Sequence, residues 1–151
     1  HLYEYLIFKA EIERIDVLPF GLSMKLKDAS ALTPRQEAVC ASAGVVINLL
    51  TALCTYLASG TNFFFMCNLS LALINSVPVF PLDGGRVLYF AMLSIYSQPT
   101  AEKISTVVSA VSLIPLTAAS IWLLLKTGFN FSLALIDAYL IFYFIFRRRM
   151  A

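Results

Sequence analysis

Four long apolar segments restrict what this chain can fold into. A helix of about 20 residues crosses the hydrocarbon core of a bilayer, and somewhat shorter segments do so when neighbouring helices bury them. The segments span residues 37–58, 62–78, 104–125 and 129–146. Because 60% of the 151 residues are hydrophobic and only 13% are charged, too little polar surface remains for a soluble domain. The sequence therefore predicts a mainly α fold, a polytopic transmembrane helical bundle.

The residues before the first apolar segment follow a different pattern. The runs "EIERIDVLPF" and "LSMKLKD" alternate polar and apolar residues and include β-branched Ile and Val, as strands do. Pro19 and Gly21 mark the break between them, so we predict a small β-hairpin at the membrane surface. The following "TPRQE" predicts a helix start, with Thr33 as N-cap and a proline at the first helical position.

The distribution of basic residues predicts the orientation of the bundle. With four spans, the regions before the first, between the second and third, and after the last share one side of the membrane. Of the 11 basic residues, only Lys126 lies in a connection on the other side. The positive-inside rule then places the hairpin, the loop around residue 83 and the C-terminus in the cytoplasm. The net charge of +2 is too small and dispersed to indicate nucleic-acid binding.

A single acid, Asp83, stands in the Pro- and Gly-broken stretch "NSVPVFPLDGGR", residues 75–86. Prolines lack the N–H that a helix needs, and glycines allow tight turns. Non-helical backbone near membrane depth is tolerated only inside protein or beside a wet cavity, and an ionisable residue there is a functional hypothesis by default. The alternative is an ordinary acid that caps the following helix, "GGRVLYFAML". The residues alone leave both interpretations open.

Several motifs together resemble the site-2 proteases, the intramembrane zinc metalloproteases. The stretch "NSVPVFPLDGGRVL" resembles the family's Asn-x-x-Pro…Asp-Gly motif. Earlier, "ERIDVLPFG" resembles the strand and turn that follow the active-site helix, and "CNLSLALINSVP" resembles the span that leads into the aspartate. "ASAGVVINLL" resembles the Ala-Gly-Pro-x-x-Asn helix, although Val45 stands where proline is usual. The pattern is most similar to the bacterial branch that contains stage IV sporulation protein FB.

The resemblance covers about residues 1–95 and implies a Zn²⁺ site. In that family a His-Glu-x-x-His helix precedes the strand, and the usual spacing, counted back from Ile15, places the second His at His1. The resemblance thus implies that His1 and Asp83 are metal ligands and that the first His and the catalytic Glu precede the chain. The 151-residue chain alone is then expected to be inactive. Another alignment makes His1 the first His and reads "HLYEY" as a degenerate motif.

Further residues receive roles from the same resemblance. Asn75 would contact the substrate backbone or the developing oxyanion, although a helix–helix hydrogen bond is an equally open interpretation. Pro78 and Pro81 would shape the loop, with Gly84 and Gly85, so that the acid turns inward. The chain would form one metalloprotease-like domain over 1–151, incomplete at its N-terminus, with a core at 1–97 and a C-terminal transmembrane pair at 104–146.

A second acid, Asp137, is expected to face a neighbouring helix or water, with no partner evident in the sequence.

The resemblance implies an enzyme that cleaves membrane-associated regulatory proteins near the cytoplasmic face. On the sporulation branch, the substrate would be a membrane-tethered sigma-factor precursor. The implied location is a bacterial cell membrane, specifically the membrane around the forespore, with the lipid bilayer and regulatory membrane proteins as partners. The alternative is a non-catalytic scaffold or transporter-like protein that keeps the fold without the metal. The residues encoded before His1 would discriminate the two.

Overall fold

The computed structural model describes residues 12–18, 21–26, 32–128 and 131–150. These residues are mainly helical. Five helices occur among them, which we number in chain order: α1 Pro34–Ser59, α2 Phe63–Asn75, α3 Asp83–Leu93, α4 Gln98–Thr127 and α5 Phe131–Met150.

Two short strands precede the helices. β1 (Ile12–Leu18) and β2 (Gly21–Leu26) pair antiparallel, with an irregularity in register between Ile12 and Arg14. Ile15 lies opposite Met24 in this pairing. That the strands lie at a membrane surface stays a prediction.

Helix α1 begins where the sequence predicted. The Gln36 backbone N–H donates to Thr33 Oγ1 at 3.4 Å, and the Thr33 N–H donates to Gln36 Oε1 at 2.8 Å. This reciprocal capping box satisfies two N–H groups that the first helical turn leaves without partners, and Pro34 follows at the first position. At the other end Gly60 donates its N–H to the Tyr56 carbonyl at 2.8 Å, with φ +67°.

Helix α2 returns along α1 after a tight connection. Asn62 caps it by accepting from the Phe65 N–H at 2.9 Å, and the Tyr56 and Phe65 rings lie 5.5 Å apart between the two helices. The second apolar segment was expected to run to Pro78, but α2 ends at Asn75. Residues 76–82 then form a loop in which two prolines cannot donate the hydrogen bonds that a helix would need.

The remaining helices build the apolar core around that loop. α3 follows it directly and packs against both α1 and α4. Val79 in the loop, Leu113 in α4 and Leu140 in α5 are buried together, and partly buried apolar residues pack around them. α4 and α5 run antiparallel, since Thr117 pairs with Asp137 while Leu113 and Leu140 share one cluster. α4 is longer than predicted and ends at Thr127, with Gly128 as its C-cap in the left-handed region at φ +68°.

The outer faces of the helices are apolar. Large hydrophobic side chains point outward along much of the bundle; Leu57 is 74% exposed and Phe63 is 82% exposed. α1 and α4 are long and apolar enough to cross a membrane, whereas α2 and residues Leu133–Phe146 form shorter apolar helices. Exposed apolar area on this scale is unusual in soluble monomers. These features point to a membrane protein, and the four membrane spans stay a prediction.

Candidate functional site

The loop of residues 76–82, called here the Asp83 loop, is folded by its own backbone. Val77 donates its N–H to the Ile74 carbonyl at 3.1 Å, Val79 to Val77 at 2.7 Å, and Leu82 to Val79 at 2.9 Å. These bonds form successive tight turns that bring the chain from the end of α2 to the start of α3. The Phe80–Pro81 peptide bond within the loop is cis. Asp83 therefore follows a compact, internally bonded segment.

Asp83 is the first residue of α3 and is half-buried. The N-cap is Leu82, whose carbonyl accepts the N–H groups of Gly85 at 3.1 Å and Arg86 at 3.2 Å. The alternative interpretation, in which Asp83 caps the helix, is therefore wrong by one residue. An acid in the first turn is still favoured, because the unpaired N–H groups of a helix start attract negative charge.

Gly84 and Gly85 were predicted to belong to the loop, but they lie in the first turn of α3. The physical reason is close approach rather than an unusual turn conformation. A Cβ on Gly85 would lie 2.5 Å from the Val79 carbonyl carbon and 2.5 Å from the Phe80 nitrogen, and one on Gly84 would overlap the Ser76 carbonyl oxygen. Both glycines thus let the backbone of α3 lie directly against the Asp83 loop.

Two helix starts meet beside Asp83. Arg86 Nη2 in the first turn of α3 lies 3.8 Å from Glu37 Oε2 in the first turn of α1. The start of α3 therefore lies at the same end of the bundle as the start of α1. Asp83 therefore lies at the end of the bundle where the chain enters α1.

Only one of the two predicted metal ligands lies among the residues that the structure describes. Asp83 offers a carboxylate oxygen, a common zinc donor, whereas His1 lies outside the described residues. In residues 12–18, 21–26, 32–128 and 131–150, no group of three or more His, Cys, Asp or Glu side chains could hold a metal ion. Asp83 therefore suits one position of the implied site, and the remaining donors would have to come from elsewhere.

Asn75 is the last residue of α2 and is half-buried. The Asp83 loop thus separates Asn75 and Asp83, one at each end, with Pro78 and Pro81 inside it. The role that the resemblance implies for Asn75 stays a prediction.

Two features of this region were not predicted from the sequence. Ser109 in α4 donates its hydroxyl to the Pro78 carbonyl at 3.1 Å, so a distant helix contacts the Asp83 loop. Thr117 in α4 donates to Asp137 Oδ1 at 3.0 Å, a partner that no sequence pattern indicated for that acid. Asp137 is 5% exposed, and it faces a neighbouring helix as expected. The contact between Ser109 and Pro78 does have a sequence signal, because small buried residues recur every four positions in α4 at Ala101, Ser105 and Ser109.

Comparison with known proteins finds a match to a family model. The family model described as Peptidase family M50, the site-2 protease family, matches residues 57–119. This segment is less than half of the chain, and it runs from the end of α1 into α4. It contains Asn75, the Asp83 loop and Asp83 itself. No curated protein matches the chain. The similarity agrees with the motifs at the level of the family, while the sporulation branch and the placement of His1 stay predictions.

Proposed function

We propose that the gene product containing this chain is an intramembrane zinc metalloprotease of the site-2 type. The observation that carries the proposal is the position of Asp83. It is a half-buried carboxylate at a helix start, behind an irregular loop, inside the segment that matches Peptidase family M50. The apolar outer faces of α1 and α4 support a setting in a membrane.

The proposed roles follow from the chemistry of the donors. Asp83 would hold Zn²⁺ together with His1 and a further His that the resemblance places before it. A bound zinc ion would supply a water whose pKa lies at about 7. The Asp83 carboxylate would offset the charge of the ion. The Asn75 amide would hold the substrate backbone next to the loop.

The substrate class follows from the same setting. We infer a membrane-associated regulatory protein that is cleaved near the cytoplasmic face, since Asp83 lies at the end of the bundle where α1 and α3 begin. The predicted hairpin and most of the basic residues share that end if the positive-inside orientation holds. A sigma-factor precursor as substrate, a membrane around the forespore as location and regulatory membrane proteins as partners are narrower proposals that rest on the branch resemblance.

The described residues do not separate the protease from a non-catalytic alternative. The part of the chain that the structure describes holds no three-donor metal group, but the proposed His ligands lie outside it on either hypothesis. A scaffold or transporter-like relative would keep the helical packing around the loop without metal. The residues encoded before His1 separate the two, because a His-Glu-x-x sequence there would complete a motif whose two His lie on one helical face.

The test measures zinc in the complete gene product, purified in detergent. We expect about one zinc per chain, and the Asp83→Asn variant should lose most of it. Cleavage should fall at least ~100-fold, because losing a metal ligand costs at least as much as losing a residue that hydrogen-bonds to a ligand. Asp137→Asn is the matched control, since it neutralises the other membrane acid but keeps an acceptor for Thr117. Membrane insertion should be unchanged in both. Zinc retained by Asp83→Asn, or absent from the unmodified protein, would contradict the proposal.

A further inference from the structure

One face of α4 contacts the Asp83 loop by two adjacent groups. Ser109 is 2% exposed, and its hydroxyl donates to the Pro78 carbonyl at 3.1 Å across 31 residues of sequence. One turn later Leu113 packs with Val79, the residue that follows Pro78 and is fully buried. The loop is therefore held to α4 by a hydrogen bond and an apolar contact at consecutive positions.

The start of α3 encloses the loop from another side. Gly84 and Gly85 lie so close to the backbone of Ser76, Val79 and Phe80 that a Cβ at either glycine would overlap it. The loop has little room to shift toward α3. Its position then depends on whether the contact with α4 holds.

The Pro78 carbonyl accepts this bond in a part-buried setting, since Pro78 is half-buried and Ser109 is buried. A carbonyl that is shielded from water and lacks a donor costs free energy, and the cost rises in an apolar medium. The hydroxyl of Ser109 provides that donor from another helix. Ser105, one turn earlier and 3% exposed, offers an instructive contrast, because its hydroxyl has no hydrogen-bond partner among the described residues.

A displacement of the Pro78 backbone would be transmitted to Asp83 through a few hydrogen bonds. The Leu82 N–H donates to the Val79 carbonyl at 2.9 Å, and the Leu82 carbonyl begins the hydrogen bonding of α3. We propose that Ser109 is a positioning residue for Asp83, one that holds the loop where the carboxylate can act as a metal ligand. The inference rests on the proposed function. Its physical basis is that metal ligands must be placed to within a few tenths of an ångström.

The experiment compares Ser109→Ala with Ser105→Ala in the complete gene product. The two variants remove equally buried hydroxyls from one face of one helix, so only the bond to Pro78 distinguishes them. We expect Ser109→Ala to weaken Zn²⁺ binding about threefold to tenfold in competition with a chelator, the size of one net hydrogen bond. Ser105→Ala should leave zinc affinity unchanged. Ser109→Thr, which keeps the hydroxyl, should restore it.

Amide hydrogen exchange provides a second measurement that does not depend on metal. The N–H groups of Val79 and Leu82 should exchange faster in Ser109→Ala than in Ser105→Ala, with the amides of α1 unaffected. A merely structural role of Ser109 would lower overall stability without a change in zinc affinity. Equal zinc affinity in the two alanine variants would overturn the proposal.

The outcomes separate this inference from the proposed function. If Asp83→Asn loses zinc but Ser109→Ala does not, the metal site stands and the role of Ser109 is refuted. If Asp83→Asn keeps zinc, the proposed function fails and the positioning role fails with it, even where exchange shows that Ser109 holds the loop.

Discussion

Asp83 and Asp137 are both acids in an apolar helical bundle, but the structure surrounds them differently. Asp83 is half-buried at the first position of α3, behind a loop of irregular backbone. Asp137 is almost fully buried within α5, and its carboxylate accepts the hydroxyl of Thr117 from α4. One acid lies at a helix end, and the other lies between two helices.

This contrast bears on where in such a bundle an acid is open to other groups. Polar residues inside membrane bundles often bond to a neighbouring helix, which explains Asp137 by helix packing. Asp83 lies where helical backbone begins and irregular backbone ends, so groups from other parts of the chain can approach it. Burial and charge alone would have ranked Asp137 first. Under the proposed function, the position of the acid relative to a helix end is the better guide.

The largest effect on this comparison should come from Gly85→Ala. The added Cβ would lie 2.5 Å from backbone atoms of Val79 and Phe80, and a backbone cannot move aside as a flexible side chain can. We expect a loss of about 2–3 kcal/mol in the free energy of unfolding, at the upper end of overpacking costs. Unfolding by SDS in mixed micelles would measure it. Unchanged stability would mean that α3 does not lie against the Asp83 loop.

A smaller effect should come from the bond at Asp137. We expect a double-mutant cycle with Thr117→Val and Asp137→Leu to give a coupling of about 0.6–1.7 kcal/mol, as for hydrogen bonds between membrane helices. The same unfolding assay measures all four proteins. Asp137→Asn serves as the control, because it keeps an oxygen acceptor. No coupling in the cycle would break the contrast, since Asp137 would then lack a structural explanation.

The smallest effect should come from the ion pair near Asp83. Arg86 and Glu37 approach to only 3.8 Å and both are partly open to solvent. We expect a cycle with Arg86→Gln and Glu37→Gln to give a coupling below about 1 kcal/mol that decreases as salt is added. A coupling that is insensitive to salt would instead indicate a buried pair and a more enclosed Asp83 site.

Local patterns predicted much of the helical structure. The capping sequence at Thr33, with a proline at the first helical position, placed the start of α1 correctly, because both signals lie within one helical turn. The end of α2 was placed too late, since its apolar composition continues to Pro78 while the prolines and the turns between them end the helix. A prediction from composition depends on hydrophobicity, whereas the end of a helix depends on which backbone hydrogen bonds can form.

The site was predicted less completely, and for a different reason. Asp83 was recognisable from its Pro- and Gly-broken surroundings, but the hydroxyl of Ser109 lies 31 residues from Pro78 and that of Thr117 lies 20 residues from Asp137. No local pattern pairs residues at such separations. Gly84 and Gly85 were correctly singled out but given the wrong physical role, because close backbone packing and turn formation select the same residue.

The short length of α2 has a consequence for how solvent would reach the site. Its 13 residues rise about 1.5 Å each, and the resulting ~20 Å is shorter than the ~30 Å thickness of a bilayer core. If α2 starts at the face where α1 ends, it stops roughly 10 Å before the opposite face. Under the proposed function, Asn75 would then lie beneath the lipid headgroups, and the water needed for peptide hydrolysis would have to arrive along a route lined by the protein.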